Sequence, residues 1–212
     1  MRRPRLVLAD DHQMLLDALK ELIEPSYEVV GMVKDGHALL KVAEQLLPDI
    51  IVLDIAMPKL NGLDAGRRLK RSLPAVKLIF MTMHEDPHLV GEAFRAGASA
   101  FLLKQAAGLE LNEAIERALR GGSYVTPSAA KGLDEIALQE PQKREHAPEP
   151  TTRQREVLQL LAEGRTMKEA GQLLFITART VAAHKYAIME LLQLKNNAEL
   201  IQYAIKQRMI SV

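Results

Sequence analysis

Cysteine is absent from the 212 residues. That removes disulfides and thiolate-bound metals from consideration and suits a reducing compartment. Equally absent is any run close to the ~20 consecutive apolar residues that a membrane-spanning helix needs. The basic start MRRPR passes into LVLA and the acidic DDH, not into the apolar centre of a signal peptide, so a cytoplasmic protein with no membrane association is expected. The formal net charge is only +1, so no positive field covers the whole surface. Any binding of nucleic acid must therefore come from a local patch or from dimerisation. No glycine-rich nucleotide loop occurs, which argues against ATP as a direct phosphate donor, and no internal repeat is visible. What is present, 48% hydrophobic and 26% charged residues, describes a globular chain long enough for two ordinary domains.

Over roughly residues 1–122, short apolar runs alternate with longer amphipathic stretches. RLVLA (5–9), YEVVGMV (27–33), DIIVLD (49–54), VKLIFMT (76–82) and SAFLLK (99–104) have strand character. HQMLLDALKELI, GHALLKVAEQLL, GLDAGRRLKRSL, PHLVGEAFRAG and LELNEAIERALRGG carry apolar residues at helical spacing. Five strands alternating with five helices predict a doubly wound, flavodoxin-like five-stranded parallel sheet covered on both faces. Residues 123–150, rich in Pro, Glu, Lys and Ala, read as a linker with room for a short helix at 128–137. Residues 151–212 hold no strand pattern and read as four helices joined by short turns.

The predicted strands end on a chemically coherent set. Asp10 and Asp11 follow the first strand, Asp54 ends the third, Thr82 the fourth and Lys104 the fifth. With strands 1 and 3 adjacent in a right-handed parallel sheet, these ends converge on one edge, where such sheets place their ligands. A single aspartate there is more often a helix N-cap, and a single lysine a solvated residue. Four strands delivering matched types to one edge point instead to chemistry. Three crowded carboxylates repel, a hard divalent cation relieves them, and a lysine and a hydroxyl suit the oxygens of a phosphoryl group. In MPKLNG after Asp54, Pro58 restricts the chain and Asn61-Gly62 is able to take positive φ.

Asp10-Asp11, Asp54 with Met57-Pro58 and Asn61-Gly62, Thr82, and Phe101 three residues before Lys104 together resemble the receiver domain of two-component response regulators. The resemblance implies that Asp54 accepts a phosphoryl group from a phosphohistidine of a sensor histidine kinase. It implies Mg²⁺ held by Asp11, Asp54 and the backbone carbonyl of Ala56, with Asp10 helping through water. Thr82 and Lys104 would grip the phosphoryl oxygens, and Phe101 would turn inward when the threonine moves. Beyond its own aspartyl phosphorylation and dephosphorylation, such a domain is no enzyme.

MKEAGQLLFITARTVAAH predicts a helix, a turn around Phe175-Ile176-Thr177 and a second helix N-capped by Thr177. Ala170 and Gly171 would permit close helix approach, with Leu173, Leu174, Val181 and Ile188 filling the core. RQREVLQLLAEG and RTVAAH resemble the LuxR-type four-helix DNA-binding domain of NarL/FixJ response regulators. By that resemblance the helix from about Thr177 to Leu192 enters the major groove and the last helix contributes to a homodimer. Lys168, Thr177, Arg179, Thr180, His184 and Lys185 are then the residues facing double-stranded, palindromic DNA. Ala182, Ala187 and Leu191 stand where the family usually has lysine, asparagine and lysine, and Gln154 replaces a usual glutamate. Lost cations remove phosphate contacts.

Two functions of different kinds compete. In one, phosphorylation of Asp54 gates a DNA-binding transcription regulator. In the other, the more apolar helix signals through protein contacts instead of DNA. A haloacid-dehalogenase-like phosphatase is disfavoured, because DIAMP lacks the second acid of its D-x-D pattern.

Overall fold

The computed structural model describes residues 2–131, 149–207, 209 and 210. Five strands, β1 (Arg5–Ala9), β2 (Glu28–Val33), β3 (Ile50–Asp54), β4 (Lys77–Thr82) and β5 (Ala98–Leu103), lie parallel in the order β2-β1-β3-β4-β5. They are connected through α1 (Gln13–Ile23), α2 (Gly36–Leu46), α3 (Gly62–Ser72) and α4 (Pro87–Arg95), and α5 (Ala107–Leu119) follows. Strand periodicity divides the apolar residues between two layers. Leu6, Leu8, Val52, Ile79 and Leu102 pack with α1 and α5. Val7, Ile51, Leu53, Phe80 and Phe101 pack with α2, α3 and α4. Because both faces are covered, every residue of β3 is buried, which is why its sequence is a continuous apolar run.

A sixth strand extends the expected sheet. β6 (Tyr124–Val125) pairs in parallel with Ala100 and Phe101 of β5. Two residues are too short to carry periodicity, so nothing in the sequence pattern announced it. The helix expected at 128–137 begins one residue earlier as α6 (Pro127–Ala130), with proline in its first turn; the portion beyond residue 131 lies outside the described residues.

Four further helices, α7 (Thr152–Ala162), α8 (Met167–Leu174), α9 (Ala178–Leu191) and α10 (Asn197–Lys206), enclose a separate core. Val157, Leu158, Ala170, Leu174, Val181, Ile188 and Leu200 form its centre, with Leu173 partly buried beside them. Capping boxes start α7 (Thr151 with Gln154) and α8 (Thr166 with Glu169), so Gln154 satisfies the helix end through its carboxamide. Between α8 and α9 the chain turns through Phe175, at φ 56°. Gly171 makes the turn possible, since a Cβ there would lie 2.7 Å from the Ile176 carbonyl oxygen.

Candidate functional site

The carboxyl edge of the sheet gathers the strand-end residues as expected. Asp10, Asp54 and Thr82 are all buried there. None of the three aspartates caps a helix from the Ncap position: α1 starts after His12 without a side-chain cap, and the caps of α2, α3 and α4 are Asp35, Asn61 and Asp86. Instead the Lys104 ammonium bridges two of them, 2.6 Å from Asp10 Oδ2 and 2.9 Å from Asp54 Oδ2. Burial raises the Asp54 pKa; the Lys104 charge opposes that rise, the Asp10 charge adds to it, and the net shift is upward. Burial works against the Lys104 ammonium, but Asp54 and Asp10 outweigh it and hold its pKa above the ordinary value. The two directions agree, because one cation faces two anions in a dry pocket.

The amide of Ala56 donates to the Asp54 carboxylate, so that residue meets Asp54 through its N–H. The Thr82 hydroxyl accepts from the His84 N–H at 3.2 Å, and Phe101, paired with Phe80 across β4 and β5, is wholly buried. His12 was missed in the sequence, although it directly follows the paired aspartates. Its Nδ1 lies 2.7 Å from Asp11 Oδ1 and 3.1 Å from Asp10 Oδ1, and its N–H donates to Asp10 Oδ1 at 3.0 Å. Ligand atoms of Asp10, Asp11 and His12 all fall within 4.8 Å of one another, a cluster that could hold a metal ion. Asp10 Oδ2, despite its ion pair, and Asp11 Oδ1 are buried oxygens that accept no well-formed hydrogen bond. Such oxygens fit a hard divalent cation.

The turn after Asp54 departs from expectation. Positive φ falls on Lys59, at 64°, while Asn61 is extended at φ −64° and caps α3 by accepting from the Asp64 N–H. Gly62 is required by proximity: a Cβ there would lie 2.1 Å from the Asp54 carbonyl oxygen. Lys59 also pairs through its Nζ with Asp35 Oδ2 at 2.7 Å.

On the helical side, Lys168, Thr177 and Arg179 are exposed, and Thr180, His184 and Lys185 half-buried. Thr177 caps α9, its hydroxyl accepting from the Thr180 N–H at 3.1 Å. The Lys185 ammonium sits 5.6 Å from the centre of the exposed Tyr186 ring. Leu191, one of the unusual residues of this helix, lines a cleft against the sheet domain together with Asn61 and Asp64.

A parallel receiver sheet with an acidic carboxyl edge, followed by a helix-turn-helix, defines a response regulator. The response regulator receiver domain matches residues 6–116 and the luxR family of bacterial regulatory proteins matches residues 151–204, so the chain belongs to the response regulators with a LuxR-type output domain. It is 31% identical to the transcriptional regulatory protein DegU of Brevibacillus brevis, covering 98% of this chain and 95% of that protein. It is 32% identical to the transcriptional regulatory protein LiaR of Bacillus subtilis, covering 98% and 99%. Among solved structures, the RcsB response regulator of Salmonella typhimurium superposes with a TM-score of 0.65 at 25% identity, covering 96% of this chain and 97% of that one. RcsB of Salmonella enterica serovar Typhimurium bound to a promoter in the presence of the phosphomimetic BeF3⁻ gives 0.60 at 25% identity, covering 95% and 98%.

Proposed function

We propose that this chain is a cytoplasmic transcription regulator switched by phosphorylation of Asp54. The Asp54 carboxylate attacks the phosphorus of a phosphohistidine on a sensor histidine kinase. The P–N bond breaks, the imidazole keeps the electron pair, and an acyl phosphate forms on Asp54. Lys104 neutralises charge on the phosphoryl oxygens, the Thr82 hydroxyl donates to one of them, and Phe101 follows the threonine. Mg²⁺ held by Asp11, Asp54 and the Ala56 carbonyl, with Asp10 behind water, would supply further charge neutralisation. Water later hydrolyses the acyl phosphate, returning the carboxylate and inorganic phosphate, and the chain turns over no other substrate. The added charge, nearly two units, releases the output domain to form a homodimer on DNA. Lys168, Thr177, Arg179, Thr180, His184 and Lys185 would meet a palindromic duplex; the similar RcsB protein is itself bound to a promoter.

The observation that carries this reading is the Lys104 ammonium spanning Asp10 and Asp54 in a chain that also bears a helix-turn-helix. Its test is to treat the full chain and Asp54→Asn with acetyl phosphate and Mg²⁺, then measure intact mass and selection from random duplex DNA at several salt concentrations. One phosphoryl group on the parent chain only, with a palindrome enriched more strongly after treatment, is expected. Selection that is absent, or indifferent to Asp54, would overturn the reading.

A further inference from the structure

The loop that follows Asp54 is held from outside its own domain. One carboxamide takes two of its backbone groups: Gln159 Nε2 donates to the Met57 carbonyl at 2.8 Å, and Gln159 Oε1 accepts from the Asn61 N–H at 2.8 Å. Four residues on, at the C-cap of α7, Glu163 Oε1 accepts from the Lys59 N–H at 2.8 Å and from Gln159 Nε2 at 2.9 Å. Residues 57, 59 and 61 thus each give one backbone group to α7 or its C-cap. Ionic contacts border this clamp. Arg155 reaches the buried Asp64 carboxylate with Nε at 3.0 and 3.1 Å and a terminal nitrogen at 2.9 Å, and Arg68 of α3 pairs with the buried Glu156.

We propose that Gln159 and Glu163 are positioning residues for the phosphoryl chemistry at Asp54, so that docking of the output domain sets how readily that aspartate is loaded. The inference rests on the function proposed above and adds the direction in which control also runs. Gln159 is wholly buried, and a Met57 carbonyl or Asn61 N–H left dry without it would be costly. Once α7 leaves, water reaches those groups, so the clamp holds firmly when docked and releases reversibly. It also seats α7, not α9: Thr177, Ala178 and Arg179 remain exposed. Docking therefore acts on the loop beside Asp54 and leaves these leading residues of the DNA-facing helix uncovered. If loading Asp54 frees the output domain, freeing that domain must favour loading by the same factor, because coupling free energies are reciprocal.

The test uses the full chain with Mg²⁺ and beryllium fluoride as the phosphoryl mimic, following the ¹⁹F resonance of the bound species. Gln159→Ala removes both bonds. Gln159→Glu keeps the acceptor for Asn61 but sets an oxygen against the Met57 carbonyl. Gln202→Ala, exposed on α10, serves as control. Half-saturation is expected at roughly five- to tenfold lower fluoride complex in both Gln159 variants, within the usual range of allosteric coupling, and unchanged in the control. Amide exchange at Lys59 and Asn61 should accelerate in the same two variants, with protection in the core of β3 retained. Parent-like half-saturation, weaker binding, or unaltered exchange at those amides would overturn the proposal. No bound resonance in the parent chain would strike the assignment of Asp54 as acceptor, and this proposal with it; altered amide exchange alone would then show a purely structural contact.

Discussion

Replacing Lys104 by methionine keeps much of the side-chain volume and deletes the charge that bridges Asp10 and Asp54. The ammonium lies 2.6 and 2.9 Å from the two carboxylates, and its side chain is 7% exposed. Removing one member of a buried ionic group leaves the others uncompensated, at ~3–5 kcal/mol. The low end applies at the rim of a sheet, so a loss of about 3 kcal/mol is expected at pH 7, or roughly 1.5 M in the urea midpoint of the receiver transition at an m-value of ~2 kcal/mol/M. The pH dependence distinguishes electrostatics from packing. The folded pKa of Asp54 lies above its ordinary value of 3.8. Between those two values the native chain binds the extra proton, so stability falls as pH rises through that window. Without Lys104 the window extends upward, and the deficit of the variant should shrink when pH falls from 7 to 5 and when Mg²⁺ is added. Urea titrations at both pH values, with and without Mg²⁺, read this directly. A variant as stable as the parent at pH 7, or a deficit indifferent to both proton and metal, would refute the reasoning.

Gly62→Ala must push the end of β3 away from α3, since its methyl would meet the Asp54 carbonyl oxygen at 2.1 Å; a loss of about 2 kcal/mol or more in thermal unfolding, with weaker Mg²⁺ binding by calorimetry, is expected. Thr177→Ala removes the N-cap of α9 and should cost the helical domain about 1 kcal/mol by urea titration, whether or not DNA is present. Arg179→Ala should lower duplex affinity across all sequences and reduce the slope of log affinity against log salt by ~0.9, whereas an unchanged slope would remove that side chain from the phosphate contacts.

Strands β1 to β5 were legible because a parallel sheet covered on both faces demands uninterrupted apolar runs, and such runs are conspicuous between amphipathic stretches. The gathering of Asp10, Asp54, Thr82 and Lys104 followed from strand order alone, since topology fixes which ends meet. Positive φ at Lys59 was not legible, because the residue type argues against it. The face formed by Arg155 and Gln159 of α7 with its C-cap Glu163 was opaque for a different reason. On a helix, polar residues one turn apart read as a solvated stripe, and nothing in a single sequence states that a second domain covers them.

The short strand β6 also decides where a pull on the second half of the chain is felt. Its pairing with Ala100 and Phe101 is parallel, the Thr126 N–H donates to the Phe101 carbonyl at 3.0 Å, and the Thr126 hydroxyl accepts from the Leu103 N–H at 3.1 Å while donating to Glu110 at 2.7 Å. The tether to the helical domain is thus stitched to the backbone of Phe101 and of the residue just before Lys104 before it leaves the sheet. Tension along that tether is therefore carried into β5 beside Phe101 and next to Lys104, whose ammonium bridges Asp10 and Asp54.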